Sequence, residues 1–355
     1  MMVKKDGQAV QHRFVLLMTL IAFLLATALA VYSTQRISSI PMRNAGHTSI
    51  SSILTHATIL VSLMVTALSL RRFNPEYYAI KPMNQLAVIF RWGSRAGILL
   101  AVVFVVTLLA TLLLYLISNS MADRSLSTQA VIGITAIYGA VLGFALANWT
   151  SKLNYQHLFW LTGTAMVVGL SGAIVLAPDN AWWTGVLSFL GIGPSAWVFD
   201  LTFIVGGLLL LIVIDDKLDD LEILRANGQF QSSHFKSYRI VLTASAIAMM
   251  GIGLFPFTGL TLRLHQIAST YAVLSFLVIS PAFIWVLPIY SSLIRVLSIL
   301  PLLMALMTFA AYFLMHLKFS LLELIFIGLI MVWVMTFYYT TRTYILKMNP
   351  DLERD

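Results

Sequence analysis

The residues of this chain that could do chemistry are few, and most fall near one end of its apolar stretches. His47, His56, His265, His316, Asp179, Asp200 and Glu323 stand in outer loops or the outer parts of helices on a membrane reading of the chain. Arg263 sits two residues before His265. Ionisable groups at membrane depth are costly and tend to face a cavity or a partner. Neutral imidazoles and carboxylates are also the usual ligands of a catalytic zinc ion, which keeps one position open for water. The plainer alternative, which the sequence favours, is histidines at the water interface bonded to backbone or headgroups. The candidate outer-face cluster is therefore His56, Asp200, Arg263, His265, His316 and Glu323.

A second candidate is the cytoplasmic acidic cluster Asp215, Asp216, Asp219 and Asp220, in the run DDKLDD. A DDxxD pattern can hold Mg²⁺ against a diphosphate, as in membrane prenyltransferases, because hard oxygens suit that ion. No other inner loop supplies the second aspartate-rich half of such a clamp. The alternative is a solvated helix extension, with Lys217, Glu222 and Arg225 offering spaced charge pairs. A bundle haem needs two histidines facing each other from different helices. His56 could meet His265 or His316, but only His157 lies near the inner face for a second haem. The expectation is no cofactor, with zinc and haem as the alternatives. The chain has no cysteine, which excludes disulfides, thiolate metal sites, iron–sulfur clusters and a cysteine nucleophile. Nothing resembles a Walker motif, so an ATP-driven role would need another subunit.

These residues are positioned by a chain built for lipid. Its 355 residues are 59% hydrophobic and 10% charged, against about 25% charged in a soluble domain. Mean hydropathy is +0.90. The fold class expected is all-α, a polytopic integral membrane helix bundle of about ten transmembrane helices with both termini cytoplasmic. At about 20 residues per crossing the helices fall near 14–34, 48–70, 96–118, 128–148, 157–177, 197–214, 239–257, 266–289, 296–316 and 321–341. The basic stretch 71–95 suits the headgroup layer, with an interfacial helix in it. The loop APDNAWWTGVLSFLGIGPSA is apolar for a loop and is expected to dip into the interface or pack over the bundle. The segment after 214 is expected as a polar inner loop. Of the 22 Lys and Arg, this topology leaves only Arg36, Arg43, Arg124, Arg263 and Lys318 outside and puts the other seventeen inside. The net charge of +8 therefore reads as basic residues on the cytoplasmic side rather than as a nucleic-acid surface. Gly139 with Gly143, Gly206 with Gly207, and Gly251 with Gly253 allow close helix approach. Pro281, Pro288 and Pro301 would kink the eighth and ninth helices.

Laying Pro41 on Pro256 matches IPMRNAGHTSISSILTHATIL to FPFTGLTLRLHQIASTYAVLS without gaps. This points to two segments: 1–150, four helices forming a partial repeat, and 151–355, a six-helix unit with a cytoplasmic tail. Within the second, LSFLG before GPSAWVFD, a GG-containing helix, and GLFP followed by a loop and LHQIAS resemble the bacterial DUF998 integral-membrane family. That family is similar to the eukaryotic FRAG/DRAM/SFK group of six-helix membrane proteins. The resemblance covers about residues 157–341. It implies a fold more than an activity, with lipid remodelling, autophagy and membrane stress attached to the eukaryotic relatives. Ser52 and His56 at i, i+4 resemble the Ser-x-x-x-His element of ceramidase- and adiponectin-receptor-type membrane hydrolases, but the late His-x-x-x-His pair of those enzymes is absent.

The function expected is binding or transport of a membrane lipid or small amphiphilic ligand in the cell membrane, on the topology of a bacterial cytoplasmic membrane protein. The alternatives are a metal-dependent lipid hydrolase or lipid-remodelling enzyme at the outer face, and a non-catalytic or stress-related protein that serves a partner membrane protein. An enzyme is the less favoured reading, and no nucleic-acid partner is expected.

Overall fold

The computed structural model describes residues 2–35, 39–42, 49–73, 85–120, 125–178, 181–193, 195–226, 228, 232–286, 292–316 and 318–348. Among the described residues the protein is all-α apart from one short ribbon. With no water in a hydrocarbon layer, backbone polar groups must bond within their own segment, and apolar runs of this length become helices. Among the described residues, seven helices are long and apolar enough to cross a membrane: Val10–Thr34, Ile50–Arg72, Gly93–Ser118, Thr128–Thr150, Gln156–Leu176, Ala196–Asp215 and Phe235–Leu254. Leu302–Met315 and Phe319–Met335 are shorter apolar stretches of the same kind. This is the architecture of a multi-pass membrane protein. The chain divides into two compact units, Met1–Leu161 and Thr162–Asp355.

The first unit holds α1 (Met2–Thr34), β1 (Ser39–Pro41), α2 (Ile50–Phe73), α3 (Gln85–Ser120), β2 (Ser125–Ser127), α4 (Thr128–Thr150) and the start of α5 (Tyr155–Leu176). Its tightest seam is α1 against α4. A Cβ on Gly139 would stand 2.3 Å from the Ala26 Cβ, and one on Gly143 would stand 2.3 Å from the Ala22 Cβ. The expected Gly-x-x-x-Gly pair thus meets an Ala-x-x-x-Ala pair, and only hydrogen in place of a side chain permits that approach. The helices are antiparallel, and Gln11 near one end of α1 donates to the Ser151 hydroxyl at 2.8 Å. Ser127 caps α4, its side chain accepting from the Ala130 N–H. β1 and β2 pair antiparallel with Ile40 opposite Leu126. Ile40 is fully buried in a cluster with Ile50, Ile53, Leu54 and Val131.

The second unit holds the rest of α5, α6 (Ala181–Thr184), a 3-10 turn at Leu187–Gly191, α7 (Ala196–Ala226), α8 (Ser232–Leu254), a short 3-10 turn at Gly259–Thr261, α9 (Leu262–Val286), α10 (Ser292–Met315) and α11 (Phe319–Met348). Small residues again set the contacts. Gly169 of α5 lies against Thr202 of α7, Gly207 of α7 against the Met250 backbone N of α8, and Gly253 of α8 against the Asp200 carbonyl of α7. A Cβ would come within 2.1 Å of Thr202 Oγ1 in the first case and of the Asp200 carbonyl in the third. Gly251 faces Ala268, and the Ser245 hydroxyl donates to Ser275 at 2.8 Å, joining α8 to α9. Ala305, Leu322, Phe326 and Leu329 form the core between α10 and α11.

Several boundaries differ from expectation, the larger differences being extensions. α1 begins at Met2 rather than near 14, and α3 at Gln85 rather than near 96, so much of the expected interfacial helix is the first part of α3. The expected loop after 214 is mostly helix: α7 runs on to Ala226 and α8 starts at Ser232. The Glu222–Arg225 ion pair and buried Leu218 support that continuation, and Gly228, at φ 72°, stands just past its end. A helix does not stop where its hydropathy stops. Pro288 lies outside the described residues, as do the side chains of Pro281 and Pro301.

Candidate functional site

The second unit builds its most elaborate polar structure on the apolar loop between α5 and α7. This loop packs against the helices through Leu187, Ser188, Leu190 and Gly191, all buried. A 3-10 turn leaves its first N–H groups unbonded. The Leu187 N–H is taken by the Glu323 carboxylate of α11, a charge-assisted bond. Ser320, one turn earlier on α11, donates to the Trp183 carbonyl at 3.0 Å. The Lys318 ammonium stands 5.4 Å from the centre of the Trp183 ring, a cation–π contact.

His265 fastens the same turn from α9. Its Nδ1 is 2.8 Å from the Phe255 carbonyl, and its Nε2 is 2.9 Å from the Ser188 hydroxyl. A carbonyl only accepts, so these bonds assign the proton to Nδ1, and Ser188 donates to Nε2. The imidazole is 2% exposed, and the Phe257 ring meets it edge-on at 5.2 Å. With both nitrogens engaged and the ring enclosed, this histidine works here as a fastener between the loop and the α8–α9 connection.

Asp200 lies beside this fastened turn and is not bonded to it. Its Oδ1 would be 3.4 Å from a Cβ on Gly191, and it is half-buried in the second turn of α7. Among the described residues its carboxylate has no hydrogen-bond donor and no cation. Trp197, three residues earlier and so on a neighbouring part of the same helix face, is 53% exposed. Phe189 and Ile192 of the loop are also exposed.

Of the six residues in the expected outer cluster, Asp200, His265 and Glu323 thus gather on the Leu187–Gly191 turn. Of the other three, Arg263 and His316 stand exposed elsewhere in the same unit. Arg263 is exposed at the start of α9. His316 is exposed in the turn between α10 and α11, at φ 50°, in the left-handed region that histidine enters more often than most side chains. His56 belongs to the first unit, exposed on α2, where its Nδ1 is 2.7 Å from the Ser52 carbonyl and 3.5 Å from the Ser52 hydroxyl. His47 and Asp179 lie outside the described residues, as do the side chains of Asp216, Asp219 and Asp220; Asp215 is half-buried on α7. Among the described residues no three His, Asp or Glu side chains stand together as a metal site. Ser188, Ser320 and Lys318 are the members of this site that the sequence does not single out. A serine in LSFLG carries no signal of its own, although a Lys-x-Ser-x-x-Glu at a helix start opposite an apolar loop is a readable cap.

No protein-family model matches the chain, and neither a curated protein nor a solved structure matches it.

Proposed function

We propose that the protein crosses the cell membrane ten times with both termini in the cytoplasm, and that it binds or carries an amphiphile at the outer end of its second unit. The observation that carries this reading is Asp200. A half-buried carboxylate that has no partner among the described residues of an apolar bundle is costly to keep, and a cation or a donor is what it calls for. Exposed Trp197 beside it, with Phe189 and Ile192 on the loop, offers aromatic and apolar surface for the rest of such a molecule. An ammonium headgroup on an acyl chain fits both demands. The fastened loop supplies a rigid edge, so little ordering is left to binding.

The test is binding of a fluorescent long-chain trimethylammonium amphiphile to the protein in nanodiscs. Asp200→Asn keeps the shape and removes the charge, so affinity should fall about tenfold, equivalent to ~1.4 kcal/mol, with the melting temperature held. Unchanged affinity would sink the reading. Native mass spectrometry adds an independent check. A retained phospholipid supports lipid handling, whereas a stoichiometric zinc or haem mass would replace it with the metal or haem alternative.

A further inference from the structure

The formal charge of the chain is unevenly shared between its two units. Met1–Leu161 holds twelve Lys and Arg against three Asp and Glu, whereas Thr162–Asp355 holds ten against eleven. The whole excess of +8 therefore belongs to the first unit.

Four of that unit's cations are exposed at one end of α1, α2 and α4. Gln11 of α1 donates to the Ser151 hydroxyl just past α4, which brings Arg13 and Lys152 near one level. The Arg72 guanidinium, at the end of α2, stands 5.5 Å from the centre of the Phe14 ring, so the Arg71–Arg72 pair reaches that level too. Arg13, Arg71, Arg72 and Lys152 are all exposed. Arg13 lies about 200° round α1 from Gln11, so these cations form a girdle round the helix ends and not a pocket. Half-buried Trp149, one turn before Lys152, suits the headgroup layer. Among the described side chains of this unit there is no Asp or Glu.

Beyond the girdle the surface turns apolar. Leu16 and Leu17 lie one turn further along α1 from Arg13, and Leu68 lies one turn before Arg72 on α2; all three are exposed. A cation with an exposed leucine one turn deeper matches a phosphate with an acyl chain beneath it. Orientation in the membrane is the plainer account of the cations, but it does not account for the missing acids. Asp and Glu contribute little to orientation, and the second unit mixes both signs freely. Scarcity of carboxylates is what an anionic partner requires, since each would repel it. The leucines put the girdle at a hydrocarbon edge, so that partner is the abutting lipid and not a soluble anion. We propose that the girdle gathers anionic phospholipids round the first unit, with Arg13, Arg71, Arg72 and Lys152 taking the phosphates, and that the second unit has no such preference.

The chain has no cysteine, so one bimane probe can report on each unit. Asn148→Cys, exposed one turn before Lys152, samples the girdle; Ile240→Cys, exposed on α8 beside exposed Arg239, samples the second unit. Each is read in phosphatidylcholine–phosphatidylglycerol nanodiscs by quenching with a doxyl-labelled form of either lipid. At 148 the relative association constant should favour phosphatidylglycerol about fivefold, equivalent to the ~1 kcal/mol of one cation near an anionic surface. At 240 the ratio should be near one. Nanodiscs hold the same lipids in both leaflets, so the result is independent of which end faces the cytoplasm. Replacing Arg13, Arg71 and Lys152 together by Gln, with Arg72 kept on Phe14, should bring the ratio at 148 to near one at an unchanged melting temperature. A ratio at 148 no greater than at 240, or one that survives the triple replacement in folded protein, overturns the proposal. Should the triple variant fail to fold, the comparison of 148 with 240 decides alone.

Discussion

Glu323 and His265 show how much an ionisable residue near a membrane can be occupied with structure. Glu323 answers a single orphan N–H at Leu187, and His265 is held between Ser188 and Phe255. Losing a hydrogen bond to a charged group costs about 1.5–3 kcal/mol, so Glu323→Ala should lower the melting temperature in detergent and speed proteolysis within 182–191. Glu323→Gln keeps an acceptor and should recover part of the loss. A melting curve for Glu323→Ala that overlays the parent would show that the loop holds without this bond. The residue types at these positions were legible as polar groups in apolar surroundings. Their purpose was not, because ligand, cap and fastener draw on the same side chains, and only the partner distinguishes them. Asp200 stands out for the opposite reason, as the member of its group left without one among the described residues.

At the scale of the element, apolar length located the helices and glycine spacing located their closest approaches. Gly253 is the sharpest case, since the obstacle to a Cβ there is the backbone carbonyl of Asp200 at 2.1 Å, which cannot rotate away. Gly253→Ala should separate α7 from α8 and destabilise the protein by about 1–3 kcal/mol. Gly328→Ala on α11, where a Cβ meets nothing within 4 Å, should be neutral or slightly stabilising through helix propensity. Equal melting temperatures for the two variants would contradict the α7–α8 contact. Helix ends were less legible than helix centres. The polar run from Asp215 to Arg225 lacks the hydropathy of a crossing but keeps good helix formers and an i, i+3 ion pair, and α7 continues through it.

For the whole molecule, charge asymmetry predicts which loops face the cytoplasm. Thr184→Cys, in the loop before α7, should be labelled from outside intact cells by an impermeant maleimide. Lys152→Cys, between α4 and α5, should label only after permeabilisation. Both positions are exposed, so a reversed pattern would invert the topology. Hydropathy was enough to recognise a membrane bundle. The ribbon of β1 and β2 required coordinates, because three-residue strands in separate loops leave almost no trace in sequence.

That ribbon has a mechanical consequence. β1 lies between α1 and α2, and β2 between α3 and α4, so Ser39–Pro41 bonded to Ser125–Ser127 latches one helical hairpin to the other at their shared end. A force drawing the chain out of a bilayer cannot extract these hairpins in succession until the latch opens. Under load the first four helices should resist as one block and yield in a single rupture.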